Sequence, residues 1–375
     1  MKITVTDENK HTIVTEESFL GDQCFVTSRS GLSISESVLI NSIVRLPDCP
    51  RLLILGNRTG AVGMIAQQMI DATVTMHTFD LFDQQEIELN LTRNNATGLS
   101  IRCEPDISER DHFDAIMLQV SKGAMPNELI QDLLQQIHLA LRDGGTCIVA
   151  IDIDPDWLRQ QMRTVYGNCS VHAGSGSSPA LLLATRSKPL KKIKAFKAQF
   201  TMTRPDAKPI QLQSVPGVFA HRRVDTGVQA VAEVATTQPG DRILDIGCGC
   251  GALGISLAVN EPTAHLTLID SNIRSTLIAE QNCSLNDLTN FRVLLSNDRF
   301  NSDENFTLFV AGAYYSPHDK IAELLIHAGY NALAAAGRAY IVAKDAKWHQ
   351  TFMLELFGNA EIVKRRGYQI VMSTR

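Results

Sequence analysis

Residues 240–254 read GDRILDIGCGCGALG: an apolar strand-like run holding Asp245, then Gly247, Gly249 and Gly251 at every second position, then a helix start at Ala252. A weaker copy lies about 190 residues earlier, where residues 53–60 read LILGNRTG, with Ile54 in place of the acid and Arg58 in place of the middle glycine. Glycines at a strand-to-helix turn let the backbone take left-handed conformations and let a ligand come close. One half of the chain keeps a nucleotide-type turn, and the other half has lost it.

The self-similarity runs the whole length, and such repeats decide the fold before single elements do. Each half opens with a hairpin-like pair, within residues 2–17 and 199–215, and then enters a helix through a phenylalanine and a polar, basic turn, at Phe25 and Phe219. The glycine turns follow, then strands ending in acids, VTMHTFD at Asp80 and HLTLID at Asp270. After these come FDAIMLQV from Phe113 and FTLFVAGAYY from Phe306, and closing strands near 181–187 and 369–375. Strands alternate with amphipathic stretches such as 127–141 and 320–335, a pattern that predicts helices crossing over a largely parallel sheet. The last short strands, with no helix between them, predict an antiparallel edge. The expected organisation is a first copy at 1–187, a basic linker at 188–198 and a second copy at 199–375.

At 375 residues the chain is long enough for two domains. A net charge of −5 argues against a protein that coats nucleic acid nonspecifically, although a local basic patch stays compatible with it. Stretch 186–197 is such a patch: Arg186, Lys188, Lys191, Lys192, Lys194 and Lys197 with no acid among them. It reads either as a phosphate-neutralising strip or as a solvated connector. The eight cysteines form no CxxC pair, which fits free thiols in a reducing cytosol better than disulfides or a zinc site. The start, MKITVTDENK, has no apolar core and no long apolar run occurs, so a cytoplasmic protein without membrane spans is expected.

In doubly wound sheets, ligands bind beyond the carboxyl ends of the strands, where the glycine turn sits. Asp270, at the end of the next strand, is suited to accept ribose hydroxyls. The spacing Gly249-x-Gly251-x-x-Gly254 also satisfies a dinucleotide fingerprint. Two features favour S-adenosylmethionine over a dinucleotide. Asp245 stands two residues before the first glycine, where it would repel a pyrophosphate and suit a sulfonium and an α-amino group. The order D-x-G-x-G-x-G is moreover the pattern of class I methyltransferases. The first copy, with Ile54 and Arg58, is expected to be cofactor-free; its Asp80 alone reads more readily as a solvated strand end.

With the repeat and this motif, the chain resembles the ribosomal RNA guanine-N2 methyltransferases, built as two class I folds of which the N-terminal one is degenerate. The resemblance covers nearly the whole chain. It implies a tandem α/β, Rossmann-like architecture, each half a mostly parallel seven-stranded sheet with an antiparallel edge. It implies S-adenosylmethionine held by Asp245, Gly247, Gly249, Gly251, Asp270, Ser271 and the polar pair Asn297–Asp298. The family's F-S-R-x-G-L-D-x-G stretch aligns with Phe219, Ala220, His221, Arg222, Arg223, Val224, Asp225, Thr226 and Gly227. It implies substrate contacts at Phe219, His221, Arg222, Arg223 and Asp225, of which Asp225 also reads as a helix start. The implied partner is ribosomal RNA or a ribosomal subunit, met by a monomer, with no metal.

One departure bears on catalysis. The family's fourth strand ends in Asn-Pro-Pro-aromatic, whose asparagine holds the target amine; here Gly312, Ala313, Tyr314 and Tyr315 stand there. The active-loop residues are then Gly312, through its carbonyl, and Tyr314 and Tyr315, through stacking or hydroxyls. Residues 119–122 (QVSK) occupy the same loop in the first copy without its chemistry. Three readings stay open: RNA methylation with rearranged contacts, methylation of a small molecule, or binding of cofactor or RNA without turnover.

Overall fold

The computed structural model of the chain describes residues 2–6, 12–19, 24–28, 32–46, 49–121, 123, 125–152, 154–173, 179–297, 305–312, 319–343 and 346–375. Asp298, Ala313, Tyr314, Tyr315 and Lys122 lie outside the described residues. Two compact units divide the chain, Met1–Phe196 and Lys197–Arg375.

The first unit opens with an antiparallel sheet of β1 (Lys2–Thr6), β2 (Thr12–Phe19) and β3 (Cys24–Ser28). Phe25, expected in a turn, therefore lies in a third strand, paired with Ser18. There follow α1 (Ile34–Ser42), β4 (Arg51–Leu55), α2 (Ala61–Met69), β5 (Thr73–Thr78), α3 (Leu81–Arg93), β6 (Ser100–Cys103) and β7 (Phe113–Val120). The unit ends with α4 (Asn127–Ala140), β8 (Leu141–Ile151), α5 (Pro155–Tyr166), β9 (Ser170–Ala173) and β10 (Ala180–Thr185).

The second unit repeats this course. Its hairpin is β11 (Ala198–Met202) and β12 (Ile210–Ser214), followed by α6 (Thr226–Val234), β13 (Arg242–Ile246), α7 (Ala252–Ala258), β14 (His265–Asp270), α8 (Ile273–Leu285) and β15 (Phe291–Leu295). Then come β16 (Phe306–Ala311), α9 (Asp319–Ala332), β17 (Leu333–Ala343), α10 (Lys347–Phe357), β18 (Glu361–Arg365) and β19 (Tyr368–Thr374).

Both seven-stranded sheets have one order: β6-β5-β4-β7-β8-β10-β9 in the first unit and β15-β14-β13-β16-β17-β19-β18 in the second. The strands before the last two in sequence pair in parallel, and β10 and β19 pair antiparallel with both neighbours. This is the tandem class I methyltransferase fold.

Central strands are apolar because helices cover both faces. Side chains alternate between the faces. In β13, Ile243 packs with Val231 of α6, Ile255 of α7 and Ile278 of α8, whereas Leu244 and Ile246 pack with Ile326 of α9 and Met353 of α10. Each such fully buried aliphatic side chain contributes about 1.5–3 kcal/mol. Asp245 falls on the face of Ile243, a position that burial makes costly for a carboxylate. In this order the chain leaves β13 toward β14 on one side and returns to β16 on the other. That reversal is the switch point where ligands bind in doubly wound sheets.

Candidate active site

The register Ile246↔Ala311 makes the glycine turn after β13 and Gly312 after β16 leave the switch point side by side. Gly247 (φ 72°), Gly249 (φ 56°) and Gly251 (φ 82°) are all left-handed, a region that costs other residues about 1–2 kcal/mol. The amides of Gly247 and Cys248 donate to Ile269 O at 2.8 and 3.0 Å, which pins the turn to β14. Among the described residues a Cβ built on Gly249 would meet nothing within 4 Å, so the middle glycine borders space that they leave open.

Two carboxylates hold this turn. Asp245, 1% exposed, accepts the Gly254 amide at 2.9 Å. Burial pushes its carboxyl up to about 7; the Gly254 N–H opposes that shift, and the nearby Asp270 charge reinforces it. Asp270 accepts the Gly249 amide on Oδ2 and the Asn272 amide on Oδ1, each at 2.8 Å. Ser271 follows Asp270 directly, and Ser296 N donates to Asp270 O at 3.0 Å, which brings Asn297 to the same strand ends. The thiols of Cys248 and Cys250 are buried and pushed up by that burial, Cys250 to about 11, so both stand as neutral packing groups.

Residues that the sequence did not single out complete the frame. Asn282, fully buried on α8, donates to Cys250 O at 2.8 Å and to Gln213 O at 2.9 Å, and accepts Gln213 N at 2.8 Å. Arg274, also buried, donates to Pro216 O at 2.7 Å; Asn272 caps α8 and donates to Gly217 O at 3.2 Å. Together they tie 213–217, the glycine turn and α8 into one body.

The turn from Phe219 to Asp225 hangs on that body. Ser214 Oγ lies 2.5 Å from His221 Nδ1 and accepts the Arg222 amide at 3.2 Å. Ala220 (φ 54°) and Arg222 (φ 72°) are left-handed without being glycine, and Arg223 N closes the turn on Ala220 O at 3.2 Å. Phe219 is left 58% exposed. Asp225 caps α6, one carboxylate oxygen accepting from Gly227 N and Val228 N at 2.9 and 3.1 Å. Gly312 is half-buried, and among the described residues a Cβ there would meet Val228 Cγ2 at an ordinary 3.7 Å.

The first unit has the same frame and a different filling. Asn90 on α3 donates to Thr59 O at 3.0 Å, as Asn282 does to Cys250 O. Glu36, 3% exposed in the first turn of α1, accepts Asn57 Nδ2 at 2.8 Å, the Thr59 hydroxyl, and Ser33 N at 2.7 Å. Asn57 Nδ2 also donates to Gln119 Oε1 at 3.1 Å, and Gln119 Nε2 reaches Ser33 Oγ at 2.8 Å and Ser121 Oγ at 3.2 Å. Arg58 lacks the left-handed φ of Gly249 and pairs with Asp83 at 2.6 Å.

The strand register corrects one equivalence expected between the copies. Pairing runs Leu55↔His77 in the first unit and Ile246↔Ile269 in the second, so Thr78, not Asp80, stands where Asp270 does. The matching bonds Glu104 N to Thr78 O and Ser296 N to Asp270 O agree. Asp80 lies two residues further on and caps α3, accepting Phe82 N at 2.8 Å, in the place of Asn272. The first unit thus lacks both acids of the second.

Among the described residues no His, Cys, Asp and Glu cluster is arranged for a metal ion, and no helix is long and apolar enough to cross a membrane.

The family model described as a methyltransferase small domain matches residues 209–372. Among curated proteins, ribosomal RNA small subunit methyltransferase C of Stutzerimonas stutzeri is 27% identical over 196 residues, 48% of this chain and 55% of the relative. The enzyme of the same name from Buchnera aphidicola is 33% identical over 27% of this chain and 29% of its own length. The chain thus spans about half or less of the length of these relatives. Ribosomal RNA large subunit methyltransferase G of Pseudomonas fluorescens is 24% identical over 91% of this chain and 92% of its own. The solved structure of the T. thermophilus 16S rRNA N2 G1207 methyltransferase, in complex with AdoMet and guanosine, shares the fold. Its TM-score is 0.80 at 18% identity, over 96% of this chain and 98% of that one.

Proposed function

We propose that this chain, which belongs to the family of ribosomal RNA methyltransferases that includes small-subunit methyltransferase C and large-subunit methyltransferase G, is an S-adenosylmethionine-dependent methyltransferase of ribosomal RNA. The target is a guanine N2 in a base turned out toward the pocket. The observation that supports this most is the second glycine turn, which the carboxylates of Asp245 and Asp270 hold and where the described residues leave space at Gly249. Those residues fit the cofactor. Asp245, raised to about 7 by burial, gains from a cation beside it, and Asp270, at the end of β14, would accept the ribose hydroxyls. Ser271, Asn297 and Asp298 would border the adenine, and the Gly247, Gly249 and Gly251 backbone would pass close to the ligand. Bound S-adenosylmethionine supplies a methyl group on positive sulfur.

What the chain itself must do is align the acceptor, a contribution of up to about 7–11 kcal/mol in favourable cases. The exocyclic amine of guanine is a weak nucleophile because its lone pair is delocalised into the ring. The Gly312 carbonyl can accept one of its protons, and Tyr314 and Tyr315 are the candidates for stacking and for a second acceptor. Phe219 offers an exposed ring, and Arg222 and Arg223 offer phosphate contacts. The first unit binds no cofactor in this reading, and the chain works as a monomer in the cytoplasm, where ribosomes are made.

Labelled S-adenosylmethionine, incubated with total RNA from a strain lacking the protein, tests this. Label in ribosomal RNA, mapped to guanine N2, is the expected result. Cofactor binding with no transfer would overturn the enzymatic reading. Gly312→Asn sharpens it. Among the described residues the added Cβ meets Val228 at an ordinary distance, and the restored amide should raise transfer roughly fivefold to tenfold, the worth of one aligned hydrogen bond.

A further inference from the structure

Residues 186–197 have neither helix nor strand structure, yet their backbone is fixed to α4. The Gln135 amide brackets the Lys194 peptide: Lys194 N donates to Oε1 at 2.6 Å, and Nε2 donates to Lys194 O at 3.2 Å. One turn along the helix, His138 Nε2 lies 3.0 Å from Lys188 O. Gln135 and His138 are 7% and 1% exposed, and Phe196 at the end of the stretch is 4% exposed. A plain connector does not need two buried polar side chains committed to its carbonyls and amides, since burying such groups is costly unless they are bonded.

The bracket turns the backbone inward and leaves Lys188, Lys191, Lys192 and Lys194 exposed. Lys194 Nζ lies 4.7 Å from the Phe196 ring centre. Arg186 differs, being held by Asp111 and Asp143. Among the described residues no carboxylate pairs with the four lysines.

From this arrangement we infer that the strap carrying Lys188, Lys191, Lys192 and Lys194 is a preformed phosphate-binding strip that grips the phosphates of the RNA substrate. The inference rests on the reading of the chain as an RNA methyltransferase. Lysines carried on a held backbone, with no carboxylate partner among the described residues, are free to neutralise phosphates, and the counterions released favour binding. The strap's one large exposed apolar side chain, Ile193 at 62%, gives little for a bilayer or an apolar protein face to hold.

The test is the salt dependence of binding to a labelled RNA hairpin by the full chain and by K188Q/K191Q/K192Q, whose exposed positions leave the fold intact. The variant should bind roughly tenfold or more weakly at low salt. Its plot of log affinity against log salt should be shallower by about 2–3, or roughly 0.7–0.9 for every phosphate no longer neutralised. Q135L, which keeps every lysine and loosens the bracket, should bind RNA more weakly with an unchanged slope. An unchanged slope in the triple variant overturns the inference, and so does a loss confined to phosphatidylserine vesicles with RNA binding intact. Calorimetry with S-adenosylmethionine on the same variants keeps the two readings apart. Failure of the parent reading appears as absent cofactor binding in the unmodified chain, whatever the strap does.

Discussion

Beside the second glycine turn stand Val228, Cys248, Cys250 and Gly312; at the same positions of the first unit stand Glu36, Asn57, Thr59 and Gln119. The frame around these positions is common to both: the sheet order, the buried asparagine that ties helix to turn, and the capped helix that leads in. In the second unit those positions are small or apolar, and the polar groups that remain, Asp245 and Asp270, are drawn toward the turn. In the first, among the described residues, carboxylate, amides and hydroxyls bond one another. The proposed lack of a cofactor in the first unit would then come from side chains that bond among themselves rather than from a changed backbone.

The strongest way to break the comparison is to write the first turn into the second. Gly249→Arg forces a long side chain into the open space at a left-handed φ of 56°. It should weaken S-adenosylmethionine binding at least a hundredfold by calorimetry, while the chain still unfolds cooperatively. Retained binding would mean that the space at Gly249 is not where the cofactor passes.

Next in size is Glu36→Ala. It strips the Thr59 hydroxyl and the Ser33 amide of the carboxylate they donate to, at about 1–3 kcal/mol for each group left without a partner, while Asn57 keeps its bond to Gln119. A total on the order of 3 kcal/mol should appear in denaturant unfolding of the first unit. A negligible change would show that the network is not what holds that turn.

Protonation gives a third handle. Asp245 has its carboxyl raised to about 7 in the folded chain, against about 4 unfolded, so between these values the native state binds more protons. Stability of the cofactor-free chain should therefore fall as pH rises from about 4 to 7. A cation in the pocket favours the ionised form, so S-adenosylmethionine affinity should rise between about pH 6 and 8 with proton release. Asp245→Asn should flatten that rise; a flat profile in the unmodified chain would contradict the assignment.

The smallest effect is expected of Arg58→Gly. It removes an exposed pair with Asp83, worth about 0–1 kcal/mol, and restores the glycine pattern of the turn. The Glu36 network remains, so no second binding site should appear, and any shift in the unfolding temperature should be small.

The duplication, the alternation of strands and helices and the glycine turn are legible in the sequence because period-two and helical patterns and left-handed glycines leave marks there. The acids are half legible. Asp270 reads in its place, but Asp80 aligns with it falsely, because an acid near a strand end does not announce whether it is the last strand residue or the helix cap two positions on. Strand β3 is hidden because Phe25 begins a stretch whose polar residues resemble those of the Phe219 turn. Asn90 and Asn282 are hidden too, because a lone asparagine in an amphipathic helix reads as surface. Their recurrence at equivalent places in the two copies is the available signal. The Ser33–Glu36 spacing is a capping box, but nothing local says that the same carboxylate also binds Asn57 and Thr59.

The central claim is that one turn of the two is built for a cofactor, and calorimetric titration of the full chain with S-adenosylmethionine tests it most directly. The expected stoichiometry is one per chain, unchanged in Arg58→Gly and lost in Gly249→Arg. Two sites, or a single site that survives Gly249→Arg and disappears with changes at Glu36 or Asn57, would contradict it.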